Sequence, residues 1–186
     1  FMGKLTADVT GDIIYIEGIE HLNSALKRGK GVILLLSHFG SFLLILPALG
    51  FRGYRINQIG GPPLLKHHRP IHQRIFEMME QEYNSLPVTF FRSDKKSMSS
   101  VIRALKNNEL VAVAFDGREG NKWVPVKFFG QTAFFAPGPV RLSRTTGATI
   151  LPTFIIRQRD NTHKLVIERP FELKDDGATN EGFLSA

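Results

Sequence analysis

The run Gly31-Val-Ile-Leu-Leu-Leu-Ser37 constrains this chain more than any other stretch. Five consecutive aliphatic residues between a glycine and a small polar residue read as a buried core strand. Leu110 to Phe115 has the same character. Helical and strand patterns alternate around these two. Ile13 to Ile16 reads as a short strand, and Gly18 to Arg28 as a helix with Ile19, Leu22, Ala25 and Leu26 on one face, stopped by Gly29 to Gly31. Strand 32–37 leads through His38 into a helix near 40–50, and Arg55 to Ile59 gives another strand. Gly60-Gly61-Pro62-Pro63 is a loop. Residues 68–83 read as an amphipathic helix with Ile71, Ile75, Met78 and Met79 inward, Val88 to Phe91 as a strand, and 97–107 as a helix. A long loop is expected from Asp116 to about Ala136. Pro139 suits the first turn of a helix that ends at Gly147. Ile150 to Arg157 and His163 to Arg169 read as strands joined at Asp160-Asn161. The alternation predicts one α/β domain with a mostly parallel mixed sheet flanked by helices.

Length and charge narrow the functional classes. With 186 residues and 42% apolar content, the chain is long enough for one domain with a substantial core. Lysine and arginine outnumber aspartate and glutamate by 24 to 17, a net charge of +7 that suits an acidic partner: anionic membrane, phosphorylated lipid, acidic carrier protein or nucleic acid. The absence of cysteine excludes disulfides, thiolate zinc sites and a cysteine nucleophile. The longest apolar run, Phe42 to Phe51, is about half of the roughly 20 residues that span a bilayer, and Pro47 interrupts it. The expectation is a soluble or peripheral protein. The first residues, Phe-Met-Gly-Lys-Leu, do not have a signal-peptide layout and imply an internal start.

His38 is the residue with the clearest chemical meaning. It stands at the carboxyl end of a core strand, before Phe39-Gly40-Ser41-Phe42, where open α/β sheets build their sites. A histidine near its ordinary pKa of about 6.5 can serve as a general base near neutral pH. Such a base ordinarily wants a carboxylate partner to hold its tautomer, yet the fifth position after it is Leu43. Asp116 or Glu119, after the second buried strand, are the candidates to replace that carboxylate, with a backbone carbonyl as the other way to orient the ring; Asp116-Gly117 also reads as an ordinary turn. Backbone N–H groups at Gly40 and Ser41 are placed to stabilise an oxyanion.

The stretches IEGIEHLNSALKRGKGVILLLSHFGSF, RSDKKSMSSVIRALKNNELVAVAFDGREG and VPVKFFGQTAFFAPGPVRLSRTTGATILPTFIIR resemble, in this order, the late lipid A acyltransferases of the lysophospholipid acyltransferase superfamily. The resemblance implies a glycerol-3-phosphate acyltransferase-like fold and transfer of an acyl chain from an acyl-carrier-protein or acyl-CoA thioester to a hydroxyl of a lipid or glycolipid. It implies no tightly bound cofactor and a peripheral position at the cytoplasmic face of the inner membrane. His38 takes the place of the family's catalytic histidine, and Leu43 departs from its acidic position. Arg92 occupies a basic block tied to acceptor binding; Asp116, Gly117 and Arg118 fall in a third block, and Leu151-Pro152 in a fourth. Substrate contacts are expected from Gly40, Ser41, Arg92, Arg118 and Lys122. Residues 1–186 are expected to form a single acyltransferase-like domain, a fragment or shortened relative without the family's usual terminal segments.

Blander readings stand beside these. Arg92, Lys95 and Lys96 also fit a solvated first helical turn. His67, His68 and His72 invite a metal reading, but Lys66, Arg69 and Arg74 crowd the stretch and favour an exposed basic face. Trp123 and Phe128-Phe129, flanked by Lys122 and Lys127, fit either an aromatic–basic loop touching a membrane interface or burial in the core. Two functional alternatives accompany acyl transfer: a weakened relative that binds lipid or acyl carrier, with Leu43 marking the loss, and a basic nucleic-acid-binding domain. For the last, only the net charge speaks.

Overall fold

A computed structural model describes residues 4–60, 74, 77–78, 81–82, 84–91, 95–117 and 122–173, the side chains of Lys95 and Lys96 excepted. The continuous apolar run becomes strand β2 (Val32–Leu36), and both its faces are covered, which is why no polar alternation was possible. Val32, Leu34 and Leu36 point into one core layer with Leu22 and Ala25 of helix α2 (Ile19–Leu26) and Ile45, Leu46 and Leu49 of helix α3 (Ile45–Gly50). Ile33 and Leu35 point into the opposite layer, against Val101, Ala104 and Leu105 of helix α4 (Lys95–Lys106) and Leu142 of helix α5 (Gly138–Thr146). Each fully buried leucine in these layers is worth about 1.5–3 kcal/mol relative to exposure.

Among the described residues, β2 lies at the middle of a seven-stranded sheet. The remaining strands are β1 (Ile14–Glu17), β3 (Ile56–Ile59), β4 (Val88–Phe91), β5 (Leu110–Ala114), β8 (Thr149–Arg157) and β9 (His163–Ile167), ordered β1-β9-β8-β2-β5-β3-β4. All pairings are parallel except β8 with β9, where the short Asp160-Asn161 turn forces an antiparallel return. The predicted mixed, mostly parallel α/β sheet is therefore the observed one. Pro152 is tolerated inside β8 because its pair with Leu35 is the last between β8 and β2. Gly147 closes α5 in the left-handed conformation, with its N–H donating to the Ser143 carbonyl at 2.8 Å.

Four expectations need correction. Residues 116–136 are not one long loop: β6 (Val124–Phe128) and β7 (Gln131–Phe135) form a separate antiparallel hairpin, its alternation masked by Pro125 and the Phe128-Phe129 pair. An unforeseen helix α1 (Ala7–Ile13) precedes β1 and claims Ile13; its Thr6 cap accepts from the Val9 N–H at 3.2 Å. The helix near 40–50 opens with a 3₁₀ turn, Phe42–Leu44, because Gly40 at φ +58° and Ser41 outside the helical region break the approach. Met78, expected inward, is exposed. Most of the 68–83 stretch, with Ile71, Ile75, Met79 and the histidines 67, 68 and 72, lies outside the described residues.

The start of β2 is pinned by a close approach. Gly31 has φ +72°, and its N–H donates to the Asn108 side-chain oxygen at 3.0 Å. A Cβ at Gly31 would sit 2.5 Å from the Leu105 carbonyl oxygen and 2.8 Å from the Leu105 Cα. Gly29, at φ +68°, faces open space. Gly31→Ala is therefore expected to cost about 3 kcal/mol or more, combining backbone strain with backbone overlap. Gly29→Ala costs only the left-handed conformation, about 1–2 kcal/mol. Urea unfolding of both variants checks the difference, and equal losses would count against the overlap.

Candidate active site

β2 and β5 are parallel neighbours paired Val32↔Leu110 through Leu36↔Ala114, a constant offset of 78 residues. The same offset carried two residues beyond each strand sets His38 opposite Asp116. Both side chains sit at the carboxyl edge of the sheet. The Phe115 N–H donates to the Leu36 carbonyl at 3.0 Å, extending the ladder by one step.

Asp116 meets His38 twice. Its Oδ1 lies 2.9 Å from His38 Nδ1. The His38 backbone N–H donates to both carboxylate oxygens, at 3.1 Å to Oδ1 and 2.9 Å to Oδ2. In a neutral ring, the contact with a carboxylate puts the proton on Nδ1 and leaves the Nε2 lone pair available. Among the described residues, Nε2 has no hydrogen-bond partner. The pair is open to solvent, with 52% of the histidine and 34% of the aspartate side chain exposed, so it matters for orientation more than for stability. The Phe42 ring stands edge-on to the imidazole at 5.0 Å between centroids. A Cβ at Gly117 would lie 3.8 Å from His38 Cε1, so the chain after Asp116 runs directly beside the ring.

Leu43, at the position where a local carboxylate was sought, packs against the hydrophobic core instead. The carboxylate comes from the next strand. Of the two candidates named to replace it, Asp116 reaches the ring; Glu119 lies outside the described residues, as do Arg92 and Arg118. Lys122 is half-buried at the base of the hairpin. Gly40 and Ser41 follow the histidine in the turn. Among the described residues no group of three or more histidine, aspartate and glutamate side chains gathers as a metal site, and no helix is long and apolar enough to cross a membrane.

One contact of this turn was not anticipated. His163, the first residue of β9, reaches the same edge because β9 runs against β8, pairing it with Arg157. Its Nε2 lies 3.1 Å from Ser41 Oγ, while Nδ1 is buried without a partner among the described residues. Burial, reinforced by the nearby Arg157 charge, holds this imidazole below its ordinary pKa. A histidine opening a strand gave no signal for this, because the link to Ser41 spans 122 residues.

Residues 4–181 match the model of the bacterial lipid A biosynthesis acyltransferase family, and the chain belongs to that family. It is 27% identical over 143 residues to a phosphatidylinositol mannoside acyltransferase of Mycobacterium tuberculosis, covering 74% of this chain and 42% of that protein. It is also 27% identical over 153 residues to the lipid A biosynthesis palmitoleoyltransferase of Escherichia coli, covering 78% and 45%. The chain thus matches less than half the length of these curated relatives.

The lowered His163 pKa predicts an acid limb in stability. The unfolded chain binds this proton more readily than the folded one, so the contribution is complete above about pH 6.5 and declines as the pH falls toward the folded-state value. His163→Gln, which retains an N–H donor toward Ser41, is expected to flatten the pH dependence of unfolding free energy below pH 6.5. Chemical denaturation at a series of pH values measures this; parallel curves for the two proteins would mean that folding leaves the His163 pKa unshifted.

Proposed function

We propose that this domain transfers an acyl chain from an acyl-carrier-protein or coenzyme A thioester to a hydroxyl of a lipid or glycolipid acceptor, with His38 as general base. One observation carries the reading: the 2.9 Å contact of His38 Nδ1 with Asp116, at the carboxyl edge of a parallel sheet in a chain of this acyltransferase family. Asp116 holds the tautomer and stabilises the imidazolium as it forms. Nε2 takes the proton from the acceptor hydroxyl while its oxygen attacks the thioester carbonyl. A C–O bond forms and the carbonyl becomes a tetrahedral oxyanion, stabilised in this reading by the Gly40 and Ser41 N–H groups. Collapse breaks the C–S bond, the imidazolium returns its proton to the leaving thiolate, and an ester and a free thiol result. The acceptor hydroxyl is itself the nucleophile, so no covalent acyl-enzyme is needed.

The basic residues Arg92, Arg118 and Lys122 suit anionic groups on donor or acceptor. A lipid acceptor places the reaction at a membrane surface, at the cytoplasmic face, where acyl thioesters are made. The reading of a weakened, binding-only relative rests on Leu43, and the contact of Asp116 with the His38 ring supports catalysis over it. Nothing beyond the net charge favours nucleic acid.

Labelled acyl thioesters incubated with candidate lipid acceptors test the chemistry. His38→Ala and Asp116→Asn are each expected to lower kcat/KM by about 10²–10⁴-fold, and the double variant by little more than the worse single one, because the two side chains act as a unit. Transfer that survives Asp116→Asn undiminished would remove the dyad from the mechanism. If the wild type transfers nothing from either donor while still binding acyl thioester, the binding-only reading takes its place.

A further inference from the structure

The β6–β7 hairpin stands apart from the seven-stranded sheet, and its residues violate the usual economy of a water-soluble surface. All five residues of β6 are exposed. Phe128 and Phe134 are 50% and 61% exposed, and Phe129 at the tip is 91% exposed. An isolated two-stranded hairpin is at best marginally stable in water and ordinarily needs a further surface to bury its apolar residues. Phe129 carries a second cost. It occupies the first position of a two-residue turn with φ +48°, followed by Gly130 at φ +77°, both in the left-handed region. Such turns favour Asn, Asp or Gly, and a bulky aromatic there is strained. A residue that opposes folding both by exposure and by backbone conformation marks a functional device.

The tip is also braced. The Phe128 ring packs edge-on against Phe129 at 4.6 Å and against Phe135 at 5.8 Å, and Phe135 packs against Phe115 at 5.5 Å. A continuous series of rings thus runs from the exposed tip to the residue before Asp116. Residues 122–135 contain two lysines, Lys122 and Lys127, one tryptophan and no acid. Exposed aromatic rings beside lysines without any carboxylate match the interface of an anionic bilayer, where rings sit among the headgroups and lysines meet lipid phosphates.

We infer that the β6–β7 hairpin is a membrane-docking wedge: Phe129 and its neighbours insert into the interfacial region of an anionic lipid bilayer, and Lys122 and Lys127 contact the headgroups. Phe115 ties that wedge to the His38–Asp116 edge, so docking turns the site toward the surface that holds the acceptor. The inference rests on the membrane-surface reading above but not on the acyl-transfer chemistry.

Vesicles of phosphatidylcholine, with and without phosphatidylglycerol, provide the test. The wild type should co-float with the anionic vesicles, and emission from Trp123, the only tryptophan of this chain, should shift to the blue and be quenched by brominated acyl chains. Phe129→Asn should weaken vesicle binding by about tenfold. The same substitution should raise the melting temperature, because it relieves the left-handed strain and removes an exposed ring. Replacing each lysine with glutamine should weaken binding to anionic vesicles by roughly fivefold. Vesicle binding that Phe129→Asn leaves unchanged overturns the wedge while leaving a membrane-surface enzyme in place. A wild type that ignores both vesicles overturns the wedge and the surface reading together, without touching the dyad. Dimers that Phe129→Asn converts to monomers, with no lipid binding, would assign the hairpin to a contact between copies.

Discussion

The register between β2 and β5 is the constraint on which the site depends. Every paired position in these strands differs by 78 residues, and so do His38 and Asp116. A parallel ladder keeps side chains of equal register on the same side of the sheet, so His38 and Asp116 emerge together where the strands end. A slip of one residue would bring Phe115 or Gly117 opposite His38 and invert the facing of every core residue on the slipped strand. Since both faces of β2 and β5 are buried, such a slip leaves the apolar count nearly unchanged. Burial alone therefore does not select the register. It is specified at the ends instead: Asn108 bridges the Gly31 N–H and the Leu26 carbonyl at one end, and the Phe115 N–H bonds Leu36 at the other.

A carboxylate from the neighbouring strand differs from one supplied a turn further along the same segment. A local partner would be held by the geometry of the 3₁₀ turn at Phe42–Leu44, which leans on left-handed Gly40 and on the Ser41–His163 contact. Asp116 is held by the sheet, and its two oxygens also receive the His38 backbone N–H. The imidazole orientation thus inherits the rigidity of a central parallel pair, although the dyad itself is open to solvent. Leu43 is freed to join the core beside Leu44 and Ile45, closing the layer beneath the turn. The substitution that looks like a loss in the linear sequence is consistent with a gain in packing.

Much of this architecture was legible in the chain, and the failures have physical causes. The buried strands were readable because continuous aliphatic runs have few alternatives, and α5 because Pro139 and Gly147 bracket it. Helix α1 was missed because ADVTGDI contains a glycine and β-branched residues, so its propensity is weak and a Thr6 cap and tertiary packing decide it. The hairpin escaped because Phe129-Gly130 is not a favoured turn pair and Pro125 interrupts the alternation. Asp116 was visible as one of two candidates, yet its selection needed a long-range register that no local pattern encodes. His163 was invisible for the same reason, since its partner lies 122 residues away.

The two long-range features converge on a single stretch of chain. β5 ends at Ala114, Phe115 touches the hairpin through Phe135, Asp116 orients His38, and Gly117 runs beside the imidazole. A force applied to the hairpin reaches the carboxylate through one peptide unit and one aromatic contact, whereas the histidine is anchored independently in β2. Relative motion of these two supports would lengthen the Nδ1–Oδ1 contact without disturbing either strand. The bidentate grip on the His38 backbone N–H resists that motion, because Asp116 is bound to the main chain that carries the imidazole as well as to its ring. The backbone hydrogen bonds therefore do more than satisfy a donor: they keep the carboxylate with the histidine while the neighbouring hairpin remains free to meet another surface.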